Sequence, residues 1–267
     1  MSKLITIITS TFNIGPEFNL TAESIRSQEG GDCQWIVIDA ESQLESLAII
    51  NANKDVIDYY ISEKDSGIYD AWNKACEKIL GEWVIFFGAG DSFYSPKTIN
   101  LLREVLDVSK HKIYYGKVNV VDENMNVICC RGKTENIGWY RGKPNMPCHQ
   151  GVFQHRTLFS GNKTFDIGYK IAGDTKFLIG TNELENIGYL DLVVSNMLEQ
   201  GISGRPESKL MILREARMLE KDFGFKTNCL ERYSYNLRIY TFYAMMKIFP
   251  KNIYSFFAKI RRKFTGS

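Results

Sequence analysis

The amino-acid sequence predicts an α/β fold in which helices flank a mostly parallel sheet. Two observations indicate this fold: short apolar segments alternate with helical segments over the first ninety residues, and each apolar segment is typical of a strand buried on both faces. Strands that alternate with helices are joined by right-handed crossovers, which produce parallel sheets. Hydrophobic residues make up 44% of the 267 residues and charged residues 24%, so a disordered or fibrous chain is excluded.

The first ninety residues supply the predicted parallel strands and their clearest helix. We expect strands at 4–8, 34–39, 58–62 and 83–87, because these runs are rich in Ile, Val, Trp, Tyr and Phe. The helix runs from Ile68 to Leu80, with apolar residues recurring every three or four positions. Asp65 and Ser66 precede it, and we expect them to cap its first turn.

The regular alternation weakens after Asp91, and we expect a mixed second half. A loop rich in glycine and proline spans 138–147, a helix begins near Asp174, and the chain is helical from Arg205 onward. The strands predicted in this half lie at 112–122, 127–131, around Val152 and at 190–195.

Polar residues follow three of the predicted strands, at 9–11, 39–41 and 88–91. Parallel sheets bind ligands at the carboxyl ends of their strands, so we expect a cleft there. Asp91 lies among small residues after an apolar strand, an arrangement that suits Mg²⁺ or Mn²⁺ completed by water and phosphate oxygens. The alternative for Asp91 is the N-cap of a loop.

The helix from Ile68 also carries polar residues on its other side. Asp70, Asn73 and Lys74 are spaced to share that face. A helix start with a lysine one turn inside suits an anionic phosphate ligand. The alternative is an ordinary amphipathic helix whose polar face is solvated.

The C-terminal segment differs in charge from the rest of the chain. The net charge is +2, yet residues 232–267 contain eight Lys and Arg and no acid, which leaves the first 231 residues at 2 − 8 = −6. Apolar residues recur there at helical spacing, at Ile253, Phe256, Phe257, Ile260 and Phe264. Such a helix can lie on an anionic membrane surface, or it can pack on its own domain or on another subunit. No nucleic-acid recognition motif accompanies the charge.

These motifs together resemble family 2 glycosyltransferases of the GT-A fold, particularly the colanic acid and O-antigen transferases. The resemblance covers roughly residues 3–204 and implies a GT-A domain over 1–204, with a nucleotide-sugar half of about 1–92 and an acceptor half of about 93–204. A helical, basic extension at 205–267 follows. The matching segments are 7–9 with 12–13, 35–39, 67–74, 81–83 with 88–93, 149–153, 169–174 and 201–204.

The resemblance implies a role for each matching polar residue of the nucleotide-sugar half. Asp91 matches the last acid of the family's D-x-D-type motif and would hold Mn²⁺ or Mg²⁺, although the preceding acid is Gly90 here. The family's Asp-Gly-Gly-Ser after the second strand is replaced by Asp-Ala-Glu-Ser at 39–42. Thr9, Thr11 and Asp39 would line the base and ribose pocket, and Asp65, Asp70 and Lys74 would lie beside the base or the phosphates.

In the acceptor half, Asp174 falls where the family places its catalytic base. An inverting transferase needs one group to take the proton of the attacking hydroxyl, and a metal to stabilise the departing nucleoside diphosphate. A helix N-cap is the alternative role for Asp174. His149 and Gln150 would contact the donor phosphate or the acceptor sugar, or else they pin a loop.

The resemblance therefore implies an inverting transfer from a nucleotide sugar, UDP-linked, to a polyprenyl-diphosphate-linked saccharide in bacterial surface polysaccharide synthesis (O-antigen, capsule or exopolysaccharide). The sequence shows no apolar run of about 20 residues and no secretory signal, so we expect a cytoplasmic protein, peripheral on the inner face of the cell membrane, that can form a homo-oligomer. Two alternatives remain. One is a non-catalytic, membrane-associated subunit that binds nucleotide sugars. The other is a sugar-1-phosphate nucleotidyltransferase, which needs a glycine-rich loop with Arg and Lys that 9–16 lacks.

Overall fold

The computed structural model describes residues 3–161, 164–199 and 208–248, and it confirms the α/β fold. The strands are β1 (Ile5–Thr11), β2 (Cys33–Asp39), β3 (Tyr59–Ser62), β4 (Trp83–Phe86), β5 (Ser92–Phe93), β6 (Ile113–Val121), β7 (Val127–Arg131), β8 (Gly138–Tyr140), β9 (Lys143–Asn145), β10 (Val152–His155) and β11 (Gly188–Leu198). The helices are α1 (Phe18–Arg26), α2 (Leu44–Ala52), α3 (Ile68–Cys76), α4 (Thr98–Val105), α5 (Gly173–Gly180), α6 (Ser208–Asp222) and α7 (Cys229–Ile248).

One twisted sheet runs through the described chain in the order β3-β2-β1-β4-β10-β6-β11-β5, with β7 beside β6. The first four strands are parallel, as the sequence predicts. β10 is antiparallel to both of its neighbours, whereas β6 and β11 are parallel, so the second half is mixed. The carboxyl ends of β1 to β4 consequently lie at one edge of the sheet.

The hydrophobic core lies on both faces of the sheet because its strands are apolar on both sides. In β1, Ile7 packs toward the core cluster beneath α1 and α2, and Ile8 packs toward the cluster beneath α3 and α5. Both residues are completely buried. Complete burial on both faces explains why the sequences of these strands are continuously apolar and do not alternate between apolar and polar residues.

Three local predictions are wrong. The helix predicted to reach Leu80 ends at Cys76. Asp65 and Ser66 do not cap it, because the N-cap is Gly67, which has φ +120° and makes no side-chain cap hydrogen bond. The segment predicted as a loop at 138–147 contains a small hairpin of β8 and β9.

The helix α6 packs into the main core although it lies beyond the predicted domain boundary at 204. Its Leu219 is fully buried in the cluster beneath α3 and α5. The division into 1–204 and 205–267 stays a prediction. The glycine motif at 201–204 and the apolar stripe from Ile253 lie outside the described residues. None of the described helices is long and apolar enough to span a membrane.

Candidate active site

A buried carboxylate, that of Asp39, joins the ends of the three first strands. Its Oδ1 accepts hydrogen bonds from the hydroxyls of Thr11 (2.9 Å) and Ser42 (2.5 Å). Its Oδ2 accepts from the hydroxyl of Ser62 (2.7 Å) and from the backbone N–H of Ser42 (2.9 Å). A carboxylate can accept about four hydrogen bonds, so these four bonds fill its acceptor positions. Asp39 therefore fixes the floor of the predicted base pocket.

Thr9 lies deeper than the sequence predicts. It is completely buried, and its hydroxyl accepts a hydrogen bond from the indole N–H of Trp35 at 3.0 Å. The side chain belongs to the core under the sheet edge, whereas Thr11, two residues later, reaches Asp39.

The other predicted donor contacts gather at the start of α3. Asp65 accepts the N–H of Gly67 (2.8 Å), and Asp70 accepts the N–H of Ser66 (2.9 Å), so both carboxylates shape the turn. Lys74 pairs with Glu63 at 2.8 Å, and this contact raises the pKa of the lysine. The cation is thus held beside the turn and is already partly neutralised by an acid.

Asp91 is buried at the end of the segment that follows β4, with 4% of its surface exposed. Its Oδ2 accepts the N–H of Gly88 (2.7 Å), and its Oδ1 accepts the N–H of Leu198 in β11 (3.2 Å). Burial raises the pKa of this carboxyl to about 7, against the lowering effect of these bonds and of Gln150. Asp91 caps no helix.

The donor set around Asp91 fits a divalent ion only when a ligand supplies most of the coordination. Within 3–161, 164–199 and 208–248, no three His, Cys, Asp or Glu side chains form a metal cluster. Gly90 adds no carboxylate, and its φ of +97° would strain any other residue. Mg²⁺ and Mn²⁺ can nevertheless be held by one carboxylate together with phosphate oxygens and water.

The acceptor half brings Asp174 and His149 together. Asp174 lies in the first turn of α5, where its Oδ1 accepts the N–H of Thr175 (2.7 Å) and its Oδ2 is 3.4 Å from Nδ1 of His149. The helix N-cap is Ala172, so Asp174 is not the N-cap. The imidazole stacks on Trp72, with centroids 5.1 Å apart.

Burial decides the charge of His149. The low dielectric lowers the imidazole pKa, and the attraction of Asp174 opposes this effect without cancelling it. His149 is therefore neutral near pH 7, and its contact with Asp174 is not an ion pair. Both ring nitrogens are buried without a hydrogen-bond partner in the described part of the chain.

Neighbouring residues in one short 3₁₀ turn connect the two acids. His149 contacts Asp174, and the next residue, Gln150, contacts Asp91. The turn is fixed because the carbonyl of Gln150 accepts the hydroxyl of Ser195 in β11 at 2.6 Å. His149 and Gln150 therefore lie beside acids from the two halves of the sheet.

Tyr69 was not predicted as a site residue. Its hydroxyl donates to the carbonyl of Ile171 (2.6 Å) and lies 3.3 Å from Oδ1 of Asp174. A Cβ on Gly173 would lie 2.6 Å from the Tyr69 ring, so only glycine allows this approach. Tyr69 lies inside the segment 67–74, which matches the family, and this location is its only signal in the sequence.

A protein-family model described as "Glycosyl transferase family 2" matches residues 6–167. A "PGL/p-HBAD biosynthesis glycosyltransferase" of Mycobacterium tuberculosis is 28% identical over 208 residues, which cover 75% of this chain and 78% of the relative. An "uncharacterized glycosyltransferase" of the same species is 26% identical over 185 residues, or 66% of this chain and 67% of the relative.

Solved structures share the fold at low sequence identity. A crystal structure of S. aureus TarS 1-349 in complex with UDP-GlcNAc aligns with a TM-score of 0.58 at 16% identity, over 81% of this chain and 66% of that one. The mannosyltransferase PcManGT from Pyrobaculum calidifontis, in complex with GDP-Man and Mn²⁺, aligns with a TM-score of 0.59 at 14% identity, over 97% of this chain and 79% of that one. In another crystal structure of S. aureus TarS 1-349, the alignment covers 65% of that chain, so this chain spans slightly less than two thirds of it.

Proposed function

The chain belongs to glycosyltransferase family 2 and has the GT-A fold, and from this premise we propose that it transfers a sugar from a UDP-linked donor to a hydroxyl of a lipid-linked saccharide with inversion. Support for a UDP donor comes from the TarS structures, which are complexes with UDP and with UDP-GlcNAc. The GDP-Man complex of PcManGT makes GDP the competitor to test.

The proposal depends most on one observation: Asp174 contacts His149, and the next residue, Gln150, lies beside Asp91. An inverting reaction needs one base on the acceptor side and one means of stabilising the leaving diphosphate on the donor side. The 3₁₀ turn at 149–151 connects the acids that would serve these two needs.

Asp174 acts as the general base in this proposal. Its carboxylate takes the proton of the acceptor hydroxyl as the oxygen attacks the anomeric carbon, and the bond from that carbon to the diphosphate breaks. Tyr69 and Thr175 hold Oδ1 through the contacts at 3.3 and 2.7 Å, so Oδ2 is the oxygen available to the acceptor. His149 lies 3.4 Å from Oδ2. Because its imidazole is neutral, it places no positive charge beside the oxygen that takes up the proton.

The donor nucleotide lies over the ends of β1 to β3 in this proposal. Thr11 and Asp39 form the floor of the base and ribose pocket, and the turn shaped by Asp65 and Asp70 lies beside the base or the phosphates. Lys74 faces the same turn, and a phosphate would compete with Glu63 for its ammonium group. Thr9 supports this floor from the core.

Asp91 would hold Mn²⁺ or Mg²⁺ together with the diphosphate of the donor. The ion supplies positive charge that stabilises the nucleoside diphosphate as a leaving group. Gln150 and the N–H groups of Gly88 and Leu198 orient the carboxylate toward that task.

The acceptor and the location of the protein are further parts of the proposal. We place the enzyme on the inner face of the cell membrane, where a polyprenyl-diphosphate-linked saccharide would be extended into a surface polysaccharide. The described part of α7 supports a surface-bound state, because it exposes large apolar side chains at helical spacing, at Leu230, Tyr233, Leu237 and Tyr240. The basic segment at 232–267 would add attraction to anionic lipids.

A thermal-shift panel tests the donor. UDP, GDP and dTDP are added with and without Mn²⁺, because a ligand raises stability by RT ln(1 + [L]/Kd). We expect UDP with Mn²⁺ to give the largest shift, and donor hydrolysis without acceptor to follow the same preference. Binding without any hydrolysis or transfer would instead favour the non-catalytic subunit.

A further inference from the structure

We infer that Glu215, in helix α6, is a positioning residue for Asp174. The inference rests on the proposed function, since it concerns the residue that acts as base there. Glu215 lies beyond the family match at 6–167, and it touches neither the proposed donor pocket nor the carboxylate of Asp174.

Glu215 binds the backbone directly before α5. Its Oε1 accepts the N–H of Lys170 at 2.6 Å, and its Oε2 accepts the N–H groups of Ile171 at 3.0 Å and Ala172 at 2.7 Å. The residue is 1% exposed. A carboxylate buried to this degree is stable only when its charge is satisfied, and these three bonds satisfy it.

The same short segment is also held from α3. The hydroxyl of Tyr69 donates to the carbonyl of Ile171 at 2.6 Å, and Nζ of Lys170 donates to the carbonyl of Ser66 at 2.8 Å. The segment at 170–172 is thus fixed between α3 on one side and α6 on the other. Asp174 follows two residues later, so its position depends on both helices.

The consequence for catalysis follows from geometry. An amide at position 215 keeps one oxygen acceptor and replaces the other with an NH₂ group, which then faces at least one of the three N–H donors. At least one of those donors then loses its partner, and the segment moves. A displacement of about 1 Å at a catalytic group can reduce turnover by roughly 10²-fold, while donor binding elsewhere is unaffected.

Helix α6 offers a matched control in Glu220. This carboxylate is also buried, at 9% exposure, but it pairs with Arg217 (2.6 Å) and Arg232 (2.7 Å), away from the segment at 170–172. Glu220→Gln removes the same charge from the same helix. Any effect that comes merely from a weaker α6 therefore appears in both variants.

The experiment compares Glu215→Gln, Glu220→Gln and the unmodified chain in three assays: transfer kinetics, UDP-dependent thermal shift and amide hydrogen exchange. We expect Glu215→Gln to lower kcat at least tenfold with the donor KM within about twofold, because the base is displaced and the donor pocket is not. Its UDP-dependent shift should remain, and amide exchange should become faster in the peptide around 168–178. Glu220→Gln should show neither the loss of kcat nor the faster exchange in that peptide.

Wild-type kcat in Glu215→Gln, or equal losses in both variants, would overturn the inference. Hydrogen exchange keeps the test independent of the proposed function. If the unmodified chain transfers no sugar, the proposed function fails, whereas unchanged exchange around 168–178 in Glu215→Gln refutes the positioning role itself.

Discussion

The imidazole of His149 is held neutral by its surroundings, and this has a measurable consequence. Burial lowers its pKa in the folded protein below the ordinary value of 6.5, while the unfolded chain takes up a proton near 6.5. The unfolded state therefore binds more protons below pH 6.5. The contribution of His149 to stability is present above that pH and is lost as the pH falls.

A His149→Phe variant tests this assignment. Phenylalanine keeps a ring against Trp72 but cannot be protonated, so it should lose less unfolding free energy between pH 7 and pH 5 than the unmodified chain. The difference amounts to about 1.4 kcal/mol for each unit by which the pKa is lowered. Denaturant unfolding at several pH values measures it. Parallel loss of stability in both proteins would show that His149 is not the buried neutral base described above.

Single residues differ in how far the sequence reveals them. Asp91 is singled out by a local pattern, an acid after a buried strand, and Asp174 by the family resemblance, and the roles of both stay predictions. Tyr69 and Glu215 could not be predicted, since their contacts with the segment at 170–172 span 102 and 44 residues of chain. Thr9 was misplaced because its contact is the ring of Trp35 on the next strand rather than the cleft.

At the level of elements, the loop between β4 and β5 favours glycine at position 90, where the family resemblance predicts an acid. Gly90 has φ +97°, and a Cβ there would lie 3.0 Å from Leu198 and 3.3 Å from Glu17. Thr21 holds the loop by accepting the N–H of Gly90 and donating to the carbonyl of Asp91. The backbone at this position is shaped for glycine.

Gly90→Asp should consequently destabilise the protein rather than create a better metal site. Positive φ and overpacking each cost about 1–3 kcal/mol, and Glu17 adds like-charge repulsion. Gly224→Asp is the control, because Gly224 also has positive φ (+65°) but no atom of the described chain lies within 4 Å of its added Cβ. Denaturation with and without Mn²⁺ measures both variants. A Gly90→Asp protein as stable as the control, with stronger Mn²⁺ binding, would contradict the explanation.

Elements can be predicted where they are long enough for their hydrophobic pattern to be recognised. The strands of the parallel half have at least four residues and are mostly apolar, and the sequence predicts each of them. The start of α3 was not predictable from capping residues, because Gly67 replaces a side-chain cap with an unusual backbone conformation. The hairpin of β8 and β9 has strands of three residues, which is too short for alternation to be recognised.

For the whole molecule, the charge of residues 232–267 predicts association with anionic membranes. Cations near such a surface contribute about 1 kcal/mol each. The segment itself contains eight cations and no acid, and one of them, Arg232, pairs with Glu220 of α6. We expect sedimentation with anionic liposomes that weakens as salt is added, because exposed charges are screened over about 8 Å at physiological ionic strength.

Truncation before Ile253 provides the matching variant for this prediction. It removes four of the eight cations (Lys259, Arg261, Arg262 and Lys263) and leaves Lys251 and the three cations that precede it. Sedimentation should fall, and transfer to a lipid-linked acceptor should fall more than transfer to a short soluble analogue. Equal sedimentation of both proteins would place the apolar side chains of the tail in the protein's own core or in a subunit interface.

The base proposed for sugar transfer by this family 2 glycosyltransferase is Asp174. The most direct measurement is acceptor-dependent release of UDP from a UDP-sugar by the unmodified chain, by Asp174→Asn and by Asp166→Asn. Asp166 is a control from the same region, since it pairs with Lys176 at 2.6 Å. Loss of the base should lower turnover by about 10²–10⁴-fold while UDP binding persists, and the control should remain active. Undiminished transfer by Asp174→Asn would refute the role of Asp174 as general base, because another group would then take the proton.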